Sequence, residues 1–204
     1  MEHVRVTEVH SKRDLKAFVH FPLRLYAKCP YYVPPLNADE YLTFSRDRNP
    51  AFETADVQLF LAWCGKEIVG RVAAILSHSA NEKFRSRNIR FGWFDSVNDY
   101  EVAEALFNAV EEWGAHRGME TLTGPQGFSE FDKAGMLVEG YDFLPTMATY
   151  YNYPYYMNLL TRYGFVKDVD YIEYVVRDIH EGGFPPRLMA LAEEIRKRRH
   201  YQIL

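Results

Sequence analysis

Three groups of residues in this chain have types and spacings that could do chemistry. The first is a polar turn, Asp95-Ser96-Val97-Asn98-Asp99, with Glu101 just behind it. The second is the stretch from Pro125 to Asp142, where Gly127, Gly135 and Gly140, with Gly124 just before them, are interspersed with Glu130, Asp132, Lys133 and Glu139. The third is a run of tyrosines at 150, 151, 153, 155 and 156, in a chain that is 16% aromatic and holds 15 Tyr. A carboxylate held near a strand end can act as a general acid or base. Clustered tyrosines can line a pocket for an amine or a ring, and can equally fill a half-buried strand and the helix after it. Asp95 and Asp99 also suit turn formation and helix capping. Ser129 sits in Gly-Phe-Ser-Glu-Phe and lacks the tight Gly-x-Ser-x-Gly elbow of a serine hydrolase. His78 and His116 read as surface residues. Cys29 and Cys64 make neither a disulfide framework nor a metal site, so no metal is expected and a reducing cytoplasm is the expected compartment.

The elements that must position these groups follow from apolar spacing. Ile89 to Phe94 is rich in aromatic and β-branched residues and predicts a strand. Behind the polar turn, Val102, Leu106, Ala109, Val110 and Trp113 recur at three- and four-residue spacing, the stripe of a helix. Gly118 stands where that helix should end, and Thr121 to Gly124 starts a second strand. Strand, helix, strand in this order is a βαβ unit with parallel strands. Ligands gather at the carboxyl ends of such strands and at the helix N-terminus, which here means Phe94 to Ala103.

Around that unit, Val4, Val6 and Val9 predict a first strand, and Ser11 with Asp14 predicts a capped helix that Pro22 must kink or divide. Tyr31 to Pro35 should be extended, with a short helix from Asn37 to Phe44. Residues 57–63 and 68–76 predict a hairpin about the turn Cys64-Gly65-Lys66-Glu67. The irregular Pro125 to Asp142 stretch is long enough to be functional. A helix from Pro154 to Tyr163 should lead to a strand from Tyr171 to Val176. A basic amphipathic helix from Pro185 to Arg199 follows, its Arg196-Lys197-Arg198-Arg199 end solvated. His200 to Leu204 looks like the start of a further strand, which suggests a missing C-terminal region.

The totals bound the class. With 204 residues, 48% apolar and 25% charged, the chain has the composition of a globular protein with room for a sizeable core. A net charge of −4 and a pI near 6.0 argue against phosphate-neutralising nucleic-acid binding. No apolar run approaches the roughly 18 residues that span a bilayer.

This order of elements resembles the GNAT acyltransferase superfamily. Lys66-Glu67-Ile68-Val69-Gly70-Arg71-Val72 is similar to that superfamily's turn into its third strand. Ala105-Leu106-Phe107 through Trp113 to Met119 is similar to its long cofactor-side helix, and Asn152 through Tyr163-Gly164-Phe165 to its penultimate helix. The likeness runs from about Val4 to Asp178. It implies an α/β (α+β) fold: a GNAT-like mixed, largely antiparallel sheet of six to seven strands with helices on both faces. The implied domain spans 1–180, with 181–204 as an appended basic helix and strand start.

The resemblance implies an N-acyltransferase that moves an acyl group, acetyl foremost, from acetyl-CoA or another acyl-CoA to a small-molecule or peptide amine. Nucleic acid and membrane are not expected partners, and a homodimer stays open. In the superfamily a Gln/Arg-x-x-Gly-x-Gly/Ala loop holds the cofactor pyrophosphate on backbone N–H groups. The matching positions are Asn98 to Ala103, of which only Ala103 fits. Glu101 replaces a glycine and Asp99 adds a second negative charge. Like charges a few ångströms from a pyrophosphate repel by on the order of one to several kcal/mol at an effective dielectric near 20. That departure motivates an alternative, a non-catalytic GNAT-fold binding or interaction module that has lost acetyl-CoA. The tyrosine expected to protonate the leaving thiolate is Leu160 here, with Tyr156 one turn earlier and Tyr163 beside the glycine as stand-ins. The implied catalytic residues are Glu139, Asp132 and Tyr156, with Asp95 and Glu130 as further carboxylates. Cofactor contacts are expected from Trp93, Phe94, Asp95, Asn98, Glu101, Ala103 and Asn152, and acceptor contacts from Gln126, Phe128, Glu130 and Tyr150.

Overall fold

The computed structural model describes residues 3–129, 131–146, 148–174 and 184–199. Two units, Met1–Lys167 and Asp168–Leu204, are separately compact. The first holds a five-stranded sheet in which spatial order follows chain order: β1 (Val4–Glu8), β2 (Ala55–Cys64), β3 (Glu67–Ser77), β4 (Asn88–Ser96) and β5 (Thr121–Thr123). The first three pairings are antiparallel; β4 and β5 run parallel, as the βαβ reading requires. Six or seven strands were expected and five are present among the described residues. Residues 171–174 form no strand, and 175–176 and 200–204 lie outside the described set.

Alternation along β2 and β3 builds two cores. Phe60, Ala62, Val72, Ala74 and Leu76 face α4 (Tyr100–Ala115) and α5 (Tyr155–Tyr163), while Val57, Leu59, Leu61, Ala73 and Ile75 pack with Phe18 of α1 (Lys12–Leu25) and Phe44 at the end of α2 (Asn37–Thr43). Both faces of the sheet are therefore covered. A short helix, α3 (His78–Phe84), links β3 to β4, and α6 (Pro186–Arg199) belongs to the second unit.

α1 begins with the full Ser11/Asp14 capping box and continues through Pro22 to Leu25, so the proline does not divide it. Proline removes the N–H that would bond the carbonyl four residues back. Here the freed Phe18 carbonyl accepts from Arg71 Nη1 at 2.9 Å, so a side chain from β3 completes the helix.

β4 departs from simple alternation. Its register with β3 shifts between Arg71 and Ala73, and Trp93 has φ of 47°. A non-glycine residue in the left-handed region is uncommon and marks a bulge that re-aims side chains. The effect is legible in the packing: Ile89, Phe91 and Phe94 join the α4/α5 core, while Trp93 joins the core under α1 and α2.

Candidate functional site

The site is built where β4 and β5 part. Their pairing covers Asn88 to Arg90 against Thr121 to Thr123, and the Gln126 N–H still reaches the Phe91 carbonyl at 2.8 Å. Beyond that point β4 continues to Ser96 while the other chain turns away as the 125–145 segment. That segment is irregular yet tied down. Gly135 N–H bonds the Pro125 carbonyl, and the buried Asn152 amide both accepts from Leu137 N–H and donates to its carbonyl.

A cavity of about 160 Å³ opens here. At its polar end lies a buried cluster. Arg71 Nε and Nη2 both approach Asp95 Oδ2 at 2.8 Å, and Tyr26 and Tyr156 hydroxyls lie 2.9 and 3.2 Å from Oδ1. The two hydroxyls are 2.8 Å apart, and Tyr156 also accepts the Ser96 N–H. Burial pushes the Asp95 carboxyl above its ordinary value, against the pull of Arg71 and the tyrosine O–H groups. For Arg71, burial works against the charged form, but the Asp95 and Glu40 carboxylates outweigh it and raise its pKa. Asp95 is therefore a buried residue of β4 and not part of an open turn, and β4 ends at Ser96, two residues later than the apolar run predicted.

The walls of the cavity are aromatic, from Tyr32, Trp93, Tyr150 and Tyr151, and Glu40 and Lys133 add two more charged groups to its lining. Glu40 of α2 accepts Trp93 Nε1–H at 3.0 Å on Oε2. Burial raises its pKa, opposed by Arg71 and by that hydrogen bond. Lys133 lies 5.6 Å from the Tyr150 ring centroid, and burial lowers its pKa against the attraction of Glu40. A larger hollow, about 490 Å³, runs along the β1 edge between His3, Arg5 and Trp63 and is lined by no carboxylate.

Of the residues singled out by sequence, Trp93, Phe94, Asp95, Asp132, Tyr150, Asn152 and Tyr156 all line the cavity. Asp132 is spent on its own loop, accepting from Ser129 N–H and Oγ at 2.8 and 3.1 Å. Glu139 is exposed and lines no part of the cavity. Phe128 packs edge-on to Trp93 and Phe52 behind the wall, and the Gln126 carbonyl crowds Gly92. Glu130 lies outside the described residues. Asn98, Glu101 and Ala103 sit at the start of α4, where Asp99 is the N-cap and accepts from Glu101 N–H at 3.0 Å. Leu160 is buried against α4, and Tyr163 bonds Asn108 on that helix.

Sequence reasoning missed Glu40, Tyr26, Tyr32 and the role of Arg71. Arg71 had a usable signal, since it is the one charge inside the apolar run 68–76 and such a charge must find a partner. Glu40, in a short helix of mixed polarity, had none. Among the described residues no group of three or more His, Cys, Asp or Glu is arranged to hold a metal, and no helix is long and apolar enough to cross a membrane.

No family model matches the chain. It is 30% identical to Protein YghO of Escherichia coli (strain K12) over 92% of its own length and 48% of that protein. It is 32% identical to the bacterial ceramide synthase of Caulobacter vibrioides (strain NA1000 / CB15N) over 83% of its length and 44% of that protein. The chain thus spans about half the length of the curated relatives it matches. Among solved structures, a tandem GNAT protein from the clavulanic acid biosynthesis pathway superposes with a TM-score of 0.52 at 12% identity, over 79% of this chain and 43% of that one. With its parallel β4–β5 pair, its helices on both faces and this superposition, the chain has the GNAT acyltransferase fold.

Proposed function

We propose that the chain is the GNAT-fold part of an N-acyltransferase that moves an acyl group from acyl-CoA to a primary amine. The observation that carries this reading is the aromatic-walled cavity with its carboxylates at the carboxyl end of β4, where the parallel strands part. That is where a βαβ unit receives ligands, and carboxylates there can take protons from an amine. The Caulobacter relative adds direction, because ceramide is the N-acyl amide of a long-chain amino alcohol. The acceptor we favour is accordingly a long-chain primary amine of the sphingoid-base kind. The two cysteines, neither of them in a disulfide, are compatible with action in the cytoplasm.

One observation favours the alternative, a binding module without acyl-CoA. The edge of β4 beyond Phe94 is already taken: Ser96 N–H bonds Tyr156 Oη, and the Ser96 carbonyl accepts from Tyr155 Oη at 2.6 Å. The start of α4 is likewise capped by Asp99. A thermal-shift titration of the full-length protein with palmitoyl-CoA, acetyl-CoA and free CoA separates the two. The enzyme reading expects an acyl-CoA-dependent rise in melting temperature, as for any ligand selective for the folded state. A flat response to all three supports the module.

A further inference from the structure

The cavity holds a carboxylate whose hydrogen-bonding capacity the fold leaves half used. Glu40 accepts Trp93 Nε1–H on Oε2, and among the described residues no donor meets Oε1. Among the described residues no cation lies within ion-pairing distance of it either, although Lys133 lines the same cavity. The other carboxylates there are engaged, Asp95 by Arg71 and two tyrosines, Asp132 by Ser129. In charge, three carboxylates (Glu40, Asp95, Asp132) face two cations (Arg71, Lys133), which leaves one negative charge for an incoming cation. The walls around it include the rings of Tyr32, Trp93 and Tyr150, and an aromatic face attracts an ammonium, as the Tyr150 ring already does with Lys133 at 5.6 Å.

We propose that Glu40 receives the primary ammonium of the acceptor and takes its proton, an assignment that rests on the N-acyl-transfer reading above. The ammonium gives one proton to Glu40, and the freed lone pair attacks the thioester carbonyl carbon of acyl-CoA. The N–C bond forms and the C–S bond breaks. The departing thiolate takes the second proton from nitrogen, leaving an amide and free CoA, and Glu40 returns its proton to water. The elevated pKa of the half-buried carboxyl suits it to this exchange better than an exposed glutamate. Lys133 competes with the ammonium for the same carboxylate and sets how tightly the amine is held.

The test uses the full-length protein with octylamine as probe and octanol as its uncharged control, read by thermal shift and calorimetry. Octylamine should bind in preference to octanol. Glu40→Gln, which keeps an acceptor for Trp93, should weaken octylamine binding about thirtyfold or more, the loss expected when one partner of a desolvated charge pair is removed. Lys133→Met should strengthen it severalfold, and this second variant decides the matter if Glu40→Gln does not fold. Octylamine binding unchanged by either substitution would overturn the assignment. If Glu40-dependent octylamine binding occurs in a protein that makes no amide from any acyl-CoA, the amine site stands and the transfer reading falls. Amide formation undiminished by Glu40→Gln would do the reverse.

Discussion

Pro22, Phe18, Arg71 and Asp95 form a chain of cause at the scale of single residues. Proline leaves the Phe18 carbonyl open, Arg71 fills it, and the remaining guanidinium N–H groups fix Asp95 at the inner end of the cavity. A buried pair of this kind is destabilising to break, because the surviving charge has nowhere to go. Asp95→Asn should therefore cost about 3–5 kcal/mol in a denaturant titration. Tyr156→Phe, which strands one Ser96 N–H and loosens one contact to Asp95, should cost about 1–3 kcal/mol. A loss below about 1 kcal/mol for Asp95→Asn would mean the cluster is wetter than it looks. Glu40 gives a prediction of opposite sign. Its folded-state pKa is raised, so protonation favours the folded form and the ionised group works against folding at neutral pH. Glu40→Gln should melt higher than the parent protein at neutral pH, with the lead shrinking as the pH falls toward about 4, where the unfolded carboxyl is itself protonated. A lead that is constant across this range would contradict the burial argument.

At the scale of elements, the hairpin, the β4–α4–β5 unit, the Ser11 cap and the Gly164 end of α5 were all legible, because each is written in local spacing and turn chemistry. The bulge at Trp93 was not. It arises from pairing with β3, a partner more than fifteen residues away in the chain, and it moves Trp93 into the core under α1 and α2 while Phe94 packs against α4. Gly92 beside it is required for a different reason: a Cβ there would sit 2.5 Å from the Gln126 carbonyl oxygen. Gly92→Ala should push the 125–145 segment off β4, costing about 1–3 kcal/mol and weakening octylamine binding. Unchanged stability would show that the segment floats free of the strand. At the head of α4, Glu101 offers a charge test. Glu101→Gly should tighten acyl-CoA binding by removing a carboxylate from the helix N-terminus, at a helix cost of about 1 kcal/mol. If affinity does not move, the phosphates bind elsewhere.

At the scale of the whole molecule, the sequence named the fold family from three stretches, and the parallel β4–β5 pair and the tandem GNAT superposition agree with it. Among the described residues it counted more strands than the five present, because residues 171–174 have strand composition yet lie in no strand there. It found much of the cavity wall through the tyrosine cluster, and missed Glu40 because a lone acid in a short polar helix is indistinguishable from a solvated one until α2 is folded against Trp93. The α6 helix leaves Leu188, Leu191 and Ile195 exposed at one-face spacing, with its charges paired along the opposite turns as Glu193–Arg196 and Glu194–Arg198. The most direct measurement of the central claim is product formation by the full-length protein supplied with palmitoyl-CoA and sphinganine, followed by thiol release and by mass. N-acyl transfer at this cavity predicts amine-dependent release of CoA matched by an equal amount of amide, abolished or greatly slowed by Glu40→Gln. CoA release that is independent of the amine, or no amide at all alongside intact folding, would contradict it.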